Sequence, residues 1–208
     1  QAIEELFSDI DKEEKLKELL IEFAKFKLTL NKSWDISYDL KDFGLFIDKE
    51  SNRIQVDYFK KMNFNLFSKI KNKLHIIKND NISNIHHLVL SSIDLITKNG
   101  IDDNDFRGGF LIKYLKSFYN EDTFFINDSI EKSLKGETNL YNKTLEKSKV
   151  ERIEKIRINL LNNYLKIKES IINQYKVNST LSFLPSLSLI SRIEEKIEHI
   201  QSDNKIRL

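Results

Sequence analysis

The side chains best suited to chemistry gather in one short segment, Asp102-Asp103-Asn104-Asp105, followed by Arg107 and Gly108-Gly109. A calcium loop alternates oxygen ligands before a glycine and a distal glutamate. Asp103 and Asp105 fit that register as metal ligands, but Arg107 stands where the third oxygen belongs. The same acidic run suits the first turn of a helix, where carboxylates complement the positive end of the dipole. The sequence therefore predicts a helix starting at Asp102–Asp105. Two glycines inside helical spacing cost on the order of 1–2 kcal/mol, which implies close approach of another element or of a ligand.

His86 and His87, with His75 upstream, are the acid–base candidates. A catalytic reading joins His86 or His87 to Asp102, Asp105 and Arg107, or pairs one imidazole with Asp94 as general base. Adjacent helical residues diverge by about 100°, so the two imidazoles do not readily serve one metal. Glu195 and His199 stand four apart on one helix face, the other candidate metal pair, and need further ligands from a second helix. Lys196 beside them points to a solvent-facing pair. The chain holds no phosphate-cradling glycine loop, Gly-x-Ser-x-Gly elbow, His-Glu-x-x-His pair or dinucleotide fingerprint. No cofactor is expected.

These residues must be held by helices, because apolar side chains recur at helical spacing along most of the chain. Asp11 and Glu14 have capping-box spacing ahead of Leu16, Leu19, Leu20, Phe23 and the stem of Lys27. Around 44–58 the period changes: Leu45 and Ile47, then Ile54, Val56 and Tyr58, alternate with polar neighbours. That alternation predicts a small β-hairpin. Helical spacing returns at Phe59, Met62 and Leu66, a break is expected at Asn79-Asp80-Asn81, and Asn99-Gly100 reads as a helix stop. A short helix is expected over 122–135, ending at Gly136.

The longest periodic segment follows, over 137–176. From Ile153 the apolar residues Ile156, Leu160, Tyr164, Ile167, Ile171 and Tyr175 are spaced 3, 4, 4, 3, 4 and 4 apart. This eleven-residue pattern runs nearly straight along a helix, unlike a seven-residue coiled-coil seam. Ile153, Leu160, Tyr164, Ile167, Ile171 and Tyr175 are thus candidate partner-binding residues, in a dimer seam or against another protein. A break near Thr144–Ser148 is the alternative, since apolar residues thin out there. Asn178-Ser179-Thr180 and Pro185 are read as separating a last amphipathic helix.

The expected fold is mainly α, a multi-helix bundle of about six to eight helices, with the long helix near 137–176 and the hairpin near 44–58. One domain over 1–208 is expected, with sub-lobes 1–136 and 137–208 as the alternative division. The 208 residues are 32% charged and 40% hydrophobic with a formal net charge of +2, a globular composition. Heavy use of Ile, Lys, Asn and Phe fits an AT-rich genome. The absence of cysteine excludes disulfides, thiolate metal sites and cysteine nucleophiles. No stretch is long and apolar enough to predict a membrane span. The start at Gln1 reads as a trimmed chain, a piece of something longer, or a mature exported protein, so compartment stays open between cytoplasmic and exported.

Lys143, Lys147, Lys149, Arg152, Lys155, Arg157, Lys166, Lys168 and Lys176 give the long segment excess basic charge. Glu151 and Glu154 interrupt it as on a solvated face, so nucleic acid is a minor partner class. The leading expectation is a helical protein–protein interaction or scaffold domain without a catalytic motif, with a protein partner or self-association. The alternatives are the mature ectodomain of a bacterial surface or secreted protein, and a helical enzyme or nucleic-acid-associated protein using His86, His87 and the 102–107 segment.

Overall fold

A computed structural model describes residues 2–10, 12–61, 64–119 and 124–203. The expected cap at Asp11, Met62 of the expected stripe, the first two residues of the expected 122–135 helix and Gln1 lie outside them. The described residues are mainly helical: α1 (Ala2–Ser8), α2 (Glu14–Thr29), α3 (Ser37–Ile47), α4 (Arg53–Lys60), α5 (Phe64–Lys98), α6 (Phe110–Ser117), α7 (Asp128–Lys135) and α8 (Lys147–Asp203). Tight 3-10 turns occupy Glu50–Asn52, Asp103–Asp105 and Arg107–Gly109.

The chain divides into two compact units, one of residues 1–75 and 178–208, the other of 76–177. Chain passage between them occurs twice, inside α5 and inside α8.

In the first unit, α2 buries Leu16, Leu19, Leu20 and Phe23 as its spacing predicts. They pack with Leu6 of α1, Leu40 of α3, Phe67 of α5, and Leu184, Leu189 and Ile193 of α8. Lys27, on the same face, is buried too; its ammonium donates to the Asp35 carbonyl and to the Asp39 carboxylate. A buried cation is tolerable only with such partners.

No β-hairpin forms at 44–58: these residues lie in α3, the Glu50–Asn52 turn and α4. Of the five alternating apolar residues only Val56 is buried, while Leu45, Ile54 and Tyr58 face solvent. The stripe that decides the structure is Leu40, Phe43 and Ile47, spaced 3 and 4, which joins the core at helical period. With both inner and outer positions apolar, the alternation was coincidental with the outward face of a helix.

The second unit is built around Phe106, Phe118, Ile130 and Leu140 with Ile153, Ile167 and Ile171 of α8, all fully or almost fully enclosed. α5 runs without a break through Asn79-Asp80-Asn81. Each of these residues disfavours a helix by only about 0.7 kcal/mol, less than the burial of Ile85, Leu88 and Val89 just beyond contributes. The Asn99-Gly100 stop forms as read: Gly100 has φ 64°, its N–H donates to Thr97, and the Ile101 N–H donates to Ile96. This two-bond closure recurs at Gly136, where the Gly136 and Glu137 N–H groups donate to Ser133 and Lys132.

The long helix expected over 137–176 is present, with shifted bounds. Residues 137–146 are not helical, and α8 starts at Lys147, within the stretch flagged as thin in apolar residues. It then passes through Asn178-Ser179-Thr180 and Pro185 to Asp203. Burial of Leu184, Ser188, Leu189 and Ile193 holds this part helical, despite the hydrogen bond that a proline cannot donate.

Candidate functional site

The acidic segment folds as a turn ahead of α6. Gly108 and Gly109 both take positive φ, 62° and 65°, so they cannot lie inside a helix, and α6 starts after them at Phe110. The α-helix expected from Asp102 therefore starts at Phe110, and Asp102 instead caps the single 3-10 turn Asp103–Asp105. The glycines are needed for backbone conformation: a Cβ at Gly108 would meet nothing within 4 Å. Phe106 is fully enclosed and makes an antiparallel bridge to Tyr141, while the Arg107 N–H donates to the Leu140 carbonyl at 3.2 Å. The backbone of the segment is therefore fixed against the stretch leading to α8.

Asp105 is buried. Its carboxylate accepts the Asp102 N–H at 2.8 Å and the Lys149 ammonium at 2.9 and 3.0 Å. Burial works to raise its pKa, but the Asp102 amide and the Lys149 cation outweigh it and hold the carboxyl below the ordinary range. Hydrogen bonds to Asp105 and Asp102 raise the Lys149 ammonium in turn. Asp102 reaches the same ammonium at 3.1 Å, and Asp103 pairs with Lys116 at 2.7 Å. The three carboxylates thus meet lysines, an arrangement of structural ion pairs. Lys149, from the basic list of the long segment, is the partner that spacing did not single out.

The other candidates lie apart from this cluster. His86 is half-buried with its ring edge-on to Phe124, centroids 5.9 Å apart. His87 is exposed on a shallow groove with Asp94, Asn162, Asn163 and Lys166. No hydrogen bond, ion pair or ring contact among the described residues joins either histidine to Asp102, Asp105 or Arg107. Glu195 accepts from Arg192 at 2.7 Å and His199 lies 3.0 Å from Asp203, so this pair is split between separate neighbours. Among the described residues no three His, Asp or Glu side chains converge as metal ligands.

Ile153, Leu160, Tyr164, Ile167 and Ile171 lie inside the second unit's core, so the stripe read as partner-binding packs internally. Tyr175 is half exposed, yet its hydroxyl donates to the Phe124 carbonyl at 2.5 Å. Tyr114 and Tyr164 likewise donate to Phe125 and Asn127, at 2.9 and 2.8 Å. Three tyrosines thereby fasten one extended segment ahead of α7.

Apolar surface facing solvent is found on α3, on α4 and just before α3. Trp34 and Tyr38 are 72% and 73% exposed, and Leu45, Ile54 and Tyr58 all exceed 60%. Tyr38 and Leu45 are seven apart on α3, and Ile54 and Tyr58 four apart on α4, so each helix presents one outward apolar face. Lys41 stands 5.6 Å from the Tyr38 ring centroid and Lys61 5.4 Å from that of Tyr58. Leu45, Ile54 and Tyr58 of these faces belong to the alternation that suggests a hairpin; Trp34 and Tyr38 do not.

No family model matches the sequence, and neither a curated protein nor a solved structure matches it. None of the described helices is long and apolar enough to cross a membrane.

Proposed function

We propose that this chain is a helical interaction module that binds a protein partner through the outward apolar faces of α3 and α4. The observation that supports this reading is the exposure of Trp34, Tyr38, Leu45, Ile54 and Tyr58 within 25 residues of sequence. Tryptophan and tyrosine dominate the energetics of protein interfaces because a large rigid area is buried at little entropic cost. Leaving five such side chains in water forgoes burial worth about 1.5–3 kcal/mol for each large apolar group fully enclosed. Lys41 and Lys61 beside the rings favour a partner segment with carboxylates next to its apolar anchors.

The test uses a photoreactive residue at position 41 in cells that make the protein, comparing the wild-type faces with a Tyr38→Ser, Leu45→Ser, Tyr58→Ser variant. A discrete adduct with a protein partner, or with a second copy, that disappears in the triple variant is the expected result. An adduct pattern unchanged by the triple variant, with the variant's helical content also unchanged, refutes the reading.

A further inference from the structure

A second feature lies in the other unit and does not depend on the α3 and α4 faces. Arg107, Phe110, Ser129, Lys132, Ser133, Thr138 and Asn139 line a groove of about 500 Å3. Its charged lining residues are Arg107 and Lys132, both cations, and no carboxylate is among them. The nearest acids along α7 are engaged elsewhere: Glu131 with Lys135 and Lys168 at 2.6 and 2.5 Å, and Asp128 with Lys168 at 3.6 Å. No ion pair or side-chain hydrogen bond of Arg107 or Lys132 is found among the described residues. Two further grooves differ. The one around Lys60 carries Asp48, Glu50, Asp57, Glu194 and Glu198, and the one around His87 carries Asp94.

The backbone that carries the groove is fixed. The backbone of Arg107 is fixed by its N–H bond to the Leu140 carbonyl and by the enclosed Phe106 ring beside it in sequence, while its guanidinium reaches solvent. Ser129, Lys132 and Ser133 lie three and four apart on α7, so they share a face. The hydroxyls of Ser133 and Thr138 are 2.7 Å apart. One of the pair donates to the other, which leaves the second hydroxyl's proton for another acceptor. Asn139 adds an amide, and the partly buried Phe110 an apolar wall. Two cations, hydroxyl donors and an aromatic edge form the complement of a phosphate carried on an apolar group, in a volume suited to a small molecule.

We propose that this groove binds a small-molecule phosphate monoester, with Arg107 and Lys132 holding the phosphate and Phe110 contacting the organic part. The test is titration of the full chain with phenyl phosphate and, separately, inorganic phosphate, followed by calorimetry and by amide shifts of residues 107–110 and 129–139. Phenyl phosphate is expected to bind more tightly than inorganic phosphate. Arg107→Gln and Lys132→Gln are each expected to weaken it about tenfold, the loss of one charge-assisted contact. Arg107→Lys is expected to keep part of the affinity, and Lys155→Gln, outside the groove, all of it. Both key side chains are exposed, so unchanged melting temperatures are expected for the variants. Equal affinity for the two ligands overturns the proposal, as does retention of full affinity by the Arg107→Gln, Lys132→Gln double variant.

Discussion

Asp105 is the residue on which the 102–107 segment turns. Removing its carboxylate leaves the Asp102 N–H without its acceptor and removes one of two carboxylates from Lys149. Asp105→Ala is therefore expected to destabilise the fold by about 1–3 kcal/mol, measured by denaturant unfolding. Asp103→Ala, whose partner Lys116 is on the surface, is expected to cost less than about 1 kcal/mol. The folded pKa of Asp105 is depressed, so its contribution is present above the ordinary carboxylate value and is lost as pH falls through the lower folded one. The acidic, turn-forming character of this segment was legible, because Asp and Gly punctuate structure locally. The pairing with Lys149 was not, since 44 residues separate it from Asp105 and only the fold brings them together.

At the scale of elements, α3 offers the sharpest test of the fold. Gly44 lies within α3 at ordinary helical φ, and a Cβ there meets nothing within 4 Å. Gly44→Ala is expected to stabilise the protein by about 0.5–1 kcal/mol through helix propensity. Loss of stability in a thermal melt would argue against α3. In α8, Pro185 withholds a backbone donor, and Asn178, Ser179 and Thr180 are poor helix formers. Amide exchange is expected to be faster over 178–186 than over 153–171, where the core stripe lies. Uniform protection along the helix would contradict this. Apolar periodicity predicted the stretch that begins at Ile153 correctly, because burial and period reinforce each other there. It misplaced the breaks at 79–81 and 178–185, where tertiary burial outweighed residue propensity. It also misread 44–58, where outward apolar residues overlaid a second period on the helical one.

At the scale of the whole molecule, several ionised groups act together on the pH response. A hydrogen bond from Lys196 lowers Asp9, the Ser37 amide lowers Asp35, and bonds from Lys135 and Lys168 lower Glu131. Hydrogen bonds to carboxylates raise Lys60 and Lys168, and burial raises Tyr114 and Tyr164. The depressed carboxyls lose their contribution only below about pH 4, and the raised amines and phenols only above about pH 10. From these groups the melting temperature is expected to be flat between about pH 5 and 9. A steep fall inside that window, followed by calorimetry, would refute it. The two hydrophobic clusters share no residue, and the only tryptophan, Trp34, belongs to the first unit. Leu40→Ala is accordingly expected to speed amide exchange in α2 more than over 153–171, with a cost of about 2–5 kcal/mol. The nesting of one unit's sequence inside the other's also sets an order on the ribosome. Residues 76–177 emerge as one continuous stretch and can close their core as soon as they are made. Leu6, Leu16, Leu19 and Phe23, made before that stretch, must wait for Leu184, Leu189 and Ile193, made after it, before their own core is complete. While residues 76–177 are being made, the apolar face of α2 therefore stays without its full cover, a state in which nascent chains are prone to aggregate.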